Sequence, residues 1–106
     1  MTQRRLTKDE SRQRYREGRR LWNKFDPIGV FKIDSQWPED EYESYVGPLM
    51  RLCEDGKPAS ELQQYVETVV YGRIGLSRTP LSDKSIVEFA EQFLEWYNSN
   101  WPDTHV

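Results

Sequence analysis

The sequence predicts an all-α fold: a compact four-helix domain with a packed, turn-containing connector between its first and second helices. Three observations lead there. Apolar residues recur at i, i+3, i+4 and i+7 in successive stretches. Capping residues and Gly or Pro stop signals bracket those stretches. No segment alternates apolar and polar residues as a half-buried strand does. At 106 residues the chain is one domain, residues 1–106. That length buries a single core without disulfides or a structural metal.

The first helix begins at a capping box, Thr7 with Glu10 three residues on, and runs to about Lys24. Tyr15, Gly18, Trp22 and Phe25 share one face of it, and Arg12, Arg16, Arg19 and Arg20 gather on a nearly opposite one. Residues 1–10 carry no apolar stripe and read as a basic arm free to fray or project.

The connector "LWNKFDPIGVFKIDSQW" keeps neither period throughout. Asp26, Pro27 and Gly29 occupy the favoured positions of a type I turn, which stops the helix and redirects the chain. Val30, Phe31, Ile33 and Trp37 then carry apolar surface worth about 25 cal/mol per Å² buried. Packing onto the bundle is therefore preferred over an exposed binding loop.

The second helix is expected to open at "WPEDEYESY", with Pro38 in its first turn and Glu39, Asp40, Glu41 and Glu43 at the positive end of its dipole. Tyr42, Tyr45, Val46, Leu49, Met50 and Cys53 form its apolar stripe, a kink or break is expected near Gly47 and Pro48, and Gly56 serves as the left-handed cap. The third runs from Ser60, boxed with Gln63, to about Gly72, with Leu62, Tyr65, Val66, Val69 and Val70 inward. After the turn-rich "GRIGLSRTPLSD", the fourth is capped at Ser82 or Asp83 and buries Ile86, Phe89, Ala90, Phe93, Leu94 and Tyr97. It is expected to end near Asn98, leaving residues 99–106 as a tail in which Trp101 folds back.

Composition narrows the function classes. Mean hydropathy is -0.91 and 31% of residues are charged, the profile of a small protein with a heavily charged surface. No run reaches the ~18 apolar residues of a membrane span, and "MTQRRLTKDE" has no apolar leader, so no membrane partner is expected. A single cysteine, Cys53, fits a reducing cytoplasm, and its place on an apolar face marks it as a small buried hydrophobe.

Catalytic and metal chemistry find little support. His105 is the single histidine and lies one residue from the end, which disfavours general acid–base catalysis or metal ligation. "EDEYE" lacks the loop and glycine of a calcium site. "GRIGLS" lacks the lysine and preceding strand of a phosphate loop. "SRTP" is a short phosphoacceptor-like motif of the kind that arises by chance. No enzyme activity and no cofactor are expected.

Charge is distributed unevenly. Residues 1–24 hold nine Lys/Arg against three acidic residues, and the remainder holds six against fifteen. The arginine stripe can face an acidic protein surface, its own or a partner's, or it can grip phosphates with steep salt dependence. The acidic remainder would repel a polyanion, which favours the protein surface. Candidate partner-binding residues are Arg12, Arg16, Arg19, Arg20, Asp26, Asp40 and Glu41; for Asp26, capping of local N–H groups is the preferred alternative.

With "WNKFDPIGV", "DEYESYVGPLMRLCEDG" and "GLS" placed, the chain resembles a family of small, uncharacterised bacterial proteins. The likeness rests on Trp22, Asn23, Asp26 to Val30, Asp40 to Tyr42, Tyr45, Gly75 and Leu76, and covers roughly residues 20–97. It implies an all-helical fold and supplies no catalytic residues. The reading is a non-enzymatic protein–protein interaction module, immunity- or antitoxin-like in character, that binds another protein or a second copy of itself. The alternative is a nucleic-acid-associated regulator using the first helix.

Overall fold

A computed structural model describes residues 4–102 and 104–105. The fold is all-helical but for one pair of two-residue strands. In order, the elements are β1 (Arg4–Arg5), α1 (Lys8–Phe25), α2 (Val30–Ile33), α3 (Glu43–Glu54), α4 (Ala59–Glu67) continued by a π-helical segment (Thr68–Arg73), α5 (Pro80–Asn100) and β2 (Thr104–His105). The strands run parallel, Arg4 beside Thr104 and Arg5 beside His105. A pair this short has no period to betray it in the sequence.

The apolar stripes of α1, α3, α4 and α5 converge on one core. Trp22, Tyr42, Leu49, Leu62, Ile86 and Phe93 are its largest fully buried side chains. Trp22 lies at its centre, edge-on to Phe89 at 4.9 Å between centroids, with Tyr45 at 5.7 Å and Phe25 at 5.9 Å. Phe25 in turn stacks on Phe89 at 4.2 Å. Leu6 and Trp101 close the core from the two flanking segments, so Trp101 does fold back.

Gly18 sets how closely α1 approaches its neighbours. A Cβ there would lie 2.7 Å from Met50 Cε, 3.2 Å from Val46 Cγ1 and 3.5 Å from Phe93 Cζ. Glu17, one residue away, joins α1 to the end of α5: its Oε1 accepts the indole N–H of both Trp96 and Trp101, each at 3.1 Å.

Several boundaries differ from those expected, for local reasons. The capping box at Thr7 and Glu10 forms. Helix α3 begins at Glu43 rather than in the first turn after Trp37; residues 39–42 form turns, in which Glu39, Glu41 and Tyr42 bond to Arg19, Trp37 and Asp26. Pro48 lies inside α3 without interrupting it. Ser60 makes no box; Pro58 precedes the first turn of α4. Helix α5 is capped by Thr79, not Ser82 or Asp83. Thr79 Oγ1 accepts from the Ser82 N–H at 3.0 Å, Ser82 Oγ accepts the Thr79 N–H at 2.9 Å, and Pro80 fills the first position. The helix runs to Asn100, two residues past the expected end.

The connector is packed only in part. Val30 is buried and Phe31 lies against the core, whereas Ile33 is 84% and Trp37 38% exposed. The short helix α2 turns Ile33 outward, one face being all that four residues can bury.

Candidate functional site

Asp26 terminates α1 in the left-handed region, φ 47°, and is buried. Aspartate tolerates that backbone better than most residues because its short side chain bonds locally. Its own N–H donates to the Trp22 carbonyl at 2.8 Å, and its carbonyl accepts the Gly29 N–H at 3.0 Å, closing the turn over 26–29. Its carboxylate accepts the Phe31 N–H at 3.1 Å and the Tyr42 hydroxyl at 2.5 Å. The Tyr42 oxygen also accepts the Ile28 N–H at 3.1 Å. Burial, and after it the bond to Asp26, pushes the Tyr42 phenol well above its ordinary range. Asp26 is therefore a structural hub of the connector, almost wholly buried, with its carboxylate oxygens bonded to the Phe31 N–H and the Tyr42 hydroxyl.

The four stripe arginines lie on one continuous strip. Arg12, Arg16 and Arg19 line a shallow depression of about 460 Å³ with Ser11 and Tyr15. Arg19 is shared with a second, of about 330 Å³, where Arg20, Lys24 and Asn23 on α1 face Phe31, Ser35, Trp37 and Glu39 of the connector. Arg19 reaches Glu39 at 3.4 Å, and Arg12 lies 3.9 Å from Asp9. Among the described residues Arg16 and Arg20 have no ion-pair partner.

Asp40 is exposed on the turn beyond Glu39, and Glu41 accepts the Trp37 indole N–H at 2.9 Å. The structure thus places the four arginines along two adjoining depressions, with Glu41 bonded to Trp37 at the edge of the second and Asp40 on the turn next to Glu39, and leaves Asp26 buried.

Sequence reasoning missed a second polar group, centred on Arg14. Its side chain is buried, donating to the Tyr97 hydroxyl at 2.8 Å and to Glu54 at 3.2 Å. Its guanidinium lies 5.6 Å from the Tyr97 ring centroid. A cleft of about 440 Å³ opens over this group, lined by Ser11, Tyr15, Gly47, Met50 and Arg51 as well as Arg14 and Glu54. A signal was present: Arg14 precedes Gly18 by four residues and Trp22 by eight, which places it on the buried stripe rather than the basic one. Tyr15 bridges the two regions, its hydroxyl donating to the Glu43 carbonyl at 2.8 Å. Burial, and then the Glu43 carboxylate, raises its phenol above the ordinary value.

Cys53 is buried, and burial pushes its thiol up to about 12, which leaves almost no thiolate near neutral pH. The backbone of His105 belongs to β2, and its side chain lies outside the described residues. Among the described residues no group of three His, Cys, Asp or Glu side chains is placed to hold a metal ion, and no helix is long and apolar enough to cross a membrane. No protein-family model, curated protein or solved structure matches this chain.

Proposed function

We propose that this protein is a non-enzymatic interaction module that docks the basic face of α1 onto an acidic protein surface. One observation carries the reading: Arg16 and Arg20 are exposed and have no ion-pair partner among the described residues, beside depressions that offer Tyr15, Trp37 and Asn23 as further contacts. Arginine and tryptophan dominate the energetics of protein interfaces because they combine broad apolar contact with directed hydrogen bonds. The neighbouring carboxylates of Glu39, Asp40 and Glu41 disfavour a long polyanion on the same face, so a protein surface fits better than nucleic acid. The setting that suits such a module is the cytoplasm.

The test is affinity capture from the native host with the wild-type chain and with Arg12→Glu/Arg16→Glu/Arg20→Glu. The reading expects a stoichiometric protein that the wild type retains and the variant loses. Equal retention by both chains overturns it. So does recovery of nucleic acid alone that survives about 150 mM salt, where exposed charges are screened beyond about 8 Å.

A further inference from the structure

The face just described carries both signs of charge side by side. Arg12 and Arg16 line one depression along α1 and Arg20 and Lys24 the next, which makes its basic half; Glu39 on the connector lines the second depression, and the exposed Asp40 follows it in the chain, which makes its acidic half. The contact between Arg19 and Glu39 shows that the two halves adjoin. Trp37, 38% exposed, lines the depression in which Arg19 and Arg20 of the basic half meet Glu39 of the acidic half.

A surface divided in this way is complementary to itself. When a two-fold axis lies in the interface along that boundary, each basic half faces the other copy's acidic half, and every contact occurs twice. The same rotation brings the two Trp37 rings together at the axis, the position where interfaces concentrate their binding energy. We infer that a second copy of this chain occupies the α1 face, forming a two-fold dimer held by reciprocal contacts of Arg16 and Arg20 with Glu39 and Asp40 across a Trp37 pair. The inference rests on reading that face as a docking surface and names its partner.

A standard complex takes about 800 Å² from each partner, roughly an eighth of the 6840 Å² that this chain exposes. The exposed side of α1 runs the length of an 18-residue helix, about 27 Å at 1.5 Å per residue.

Charge-swap complementation tests it. The purified wild type should sediment as a dimer of about 25 kDa, twice the 12.7 kDa of the chain, and its dissociation constant should rise at least tenfold between about 50 and about 500 mM salt. Arg16→Glu/Arg20→Glu should be monomeric, because both junctions then repel, and Glu39→Lys/Asp40→Lys should be monomeric for the same reason. Mixed in equal amounts, the two variants should recover a dimer, each junction again pairing opposite charges. Unchanged circular dichroism melts establish that the variants are folded, and Asp40→Lys alone replaces the second variant if loss of the Glu39 contact disturbs it.

A wild type that is monomeric at about 200 µM overturns the inference, that concentration being well above what a standard-sized interface needs. Variants that stay dimeric alone, or a mixture that stays monomeric, overturn it equally. A monomeric wild type whose captured host protein is still lost on arginine reversal removes the self-pairing and leaves the docking reading standing.

Discussion

Tyr42→Phe removes one oxygen atom and almost no volume, and it isolates what the connector's polar hub contributes. The Tyr42 hydroxyl makes two bonds, donating to Asp26 at 2.5 Å and accepting from the Ile28 N–H at 3.1 Å. A hydrogen bond to a charged group contributes about 1.5–3 kcal/mol, and Asp26 is buried, so water is poorly placed to replace the lost donor. The Ile28 amide contributes less, because it is a neutral donor and the bond is only part-buried. The carboxylate also keeps its bond from the Phe31 N–H. The expected loss is therefore about 2–3 kcal/mol, which lowers the melting temperature of a domain this size by about 10–20 °C. Urea unfolding followed by tryptophan fluorescence measures it. In a double-mutant cycle with Asp26→Ala, which deletes the acceptor, the two changes should be non-additive by about 1–2 kcal/mol, since both remove the same bond. A loss below about 0.5 kcal/mol, or strict additivity, refutes the assignment of Tyr42 and Asp26 as partners.

Three further outcomes follow from the packing. Arg14→Leu strands Glu54, whose side chain is 23% exposed, and removes the Arg14 hydrogen bond to the Tyr97 hydroxyl. It should cost about 2–3 kcal/mol, below the about 3–5 expected for a wholly buried pair, and adding Glu54→Leu should recover part of it; both are read by chemical denaturation. At Gly18, the helix propensity gained by alanine, about 1 kcal/mol, opposes the crowding of Val46. Gly18→Ala should stay within about 1 kcal/mol of wild type and Gly18→Val should lose about 3 kcal/mol, measured by thermal melts. Cys53 should react with a thiol reagent at pH 8 roughly a thousandfold more slowly in the folded protein than in urea, since its thiol is raised from 9.0 to about 12. The folded state favours the protonated thiol. Its contribution to stability is therefore complete below about pH 9 and is lost as pH rises toward 12; melts over that range check the sign.

The fold was legible where periodicity carries the information. The stripes on α3, α4 and α5 are the residues found buried or packed on the core, from Val46 and Leu49 to Phe93 and Tyr97. Caps were legible where their partners are local, as at Thr7, and misplaced where a neighbouring serine offered the same chemistry, as at Ser82. Ile33 and Trp37 show what apolar identity alone cannot convey: whether a given side chain faces in depends on how the whole segment is turned. The site was legible as a charge stripe, because arginines at helical spacing must share a face. That Glu39 borders the stripe, and that Tyr42 bonds Asp26 from 16 positions away, depends on tertiary contacts that no local pattern encodes.

The π-helical segment after α4 bears on how this chain tolerates changes of length. Its i→i+5 spacing holds one more residue than an α-turn does, and it closes with the Ile74 N–H on the Val69 carbonyl at 2.8 Å. Val69 and Val70 within it are buried, and Tyr71 bonds Ser82 and Asp83 on α5. Such a turn is a built-in slack. Deleting Gly72, which has open space around it, leaves the number of residues that an ordinary α-turn requires, so the backbone has a low-energy shape to fall back on. A deletion in the middle of α5 has no such reserve, because it rotates every later residue by about 100° and drives Phe93 and Tyr97 off the core.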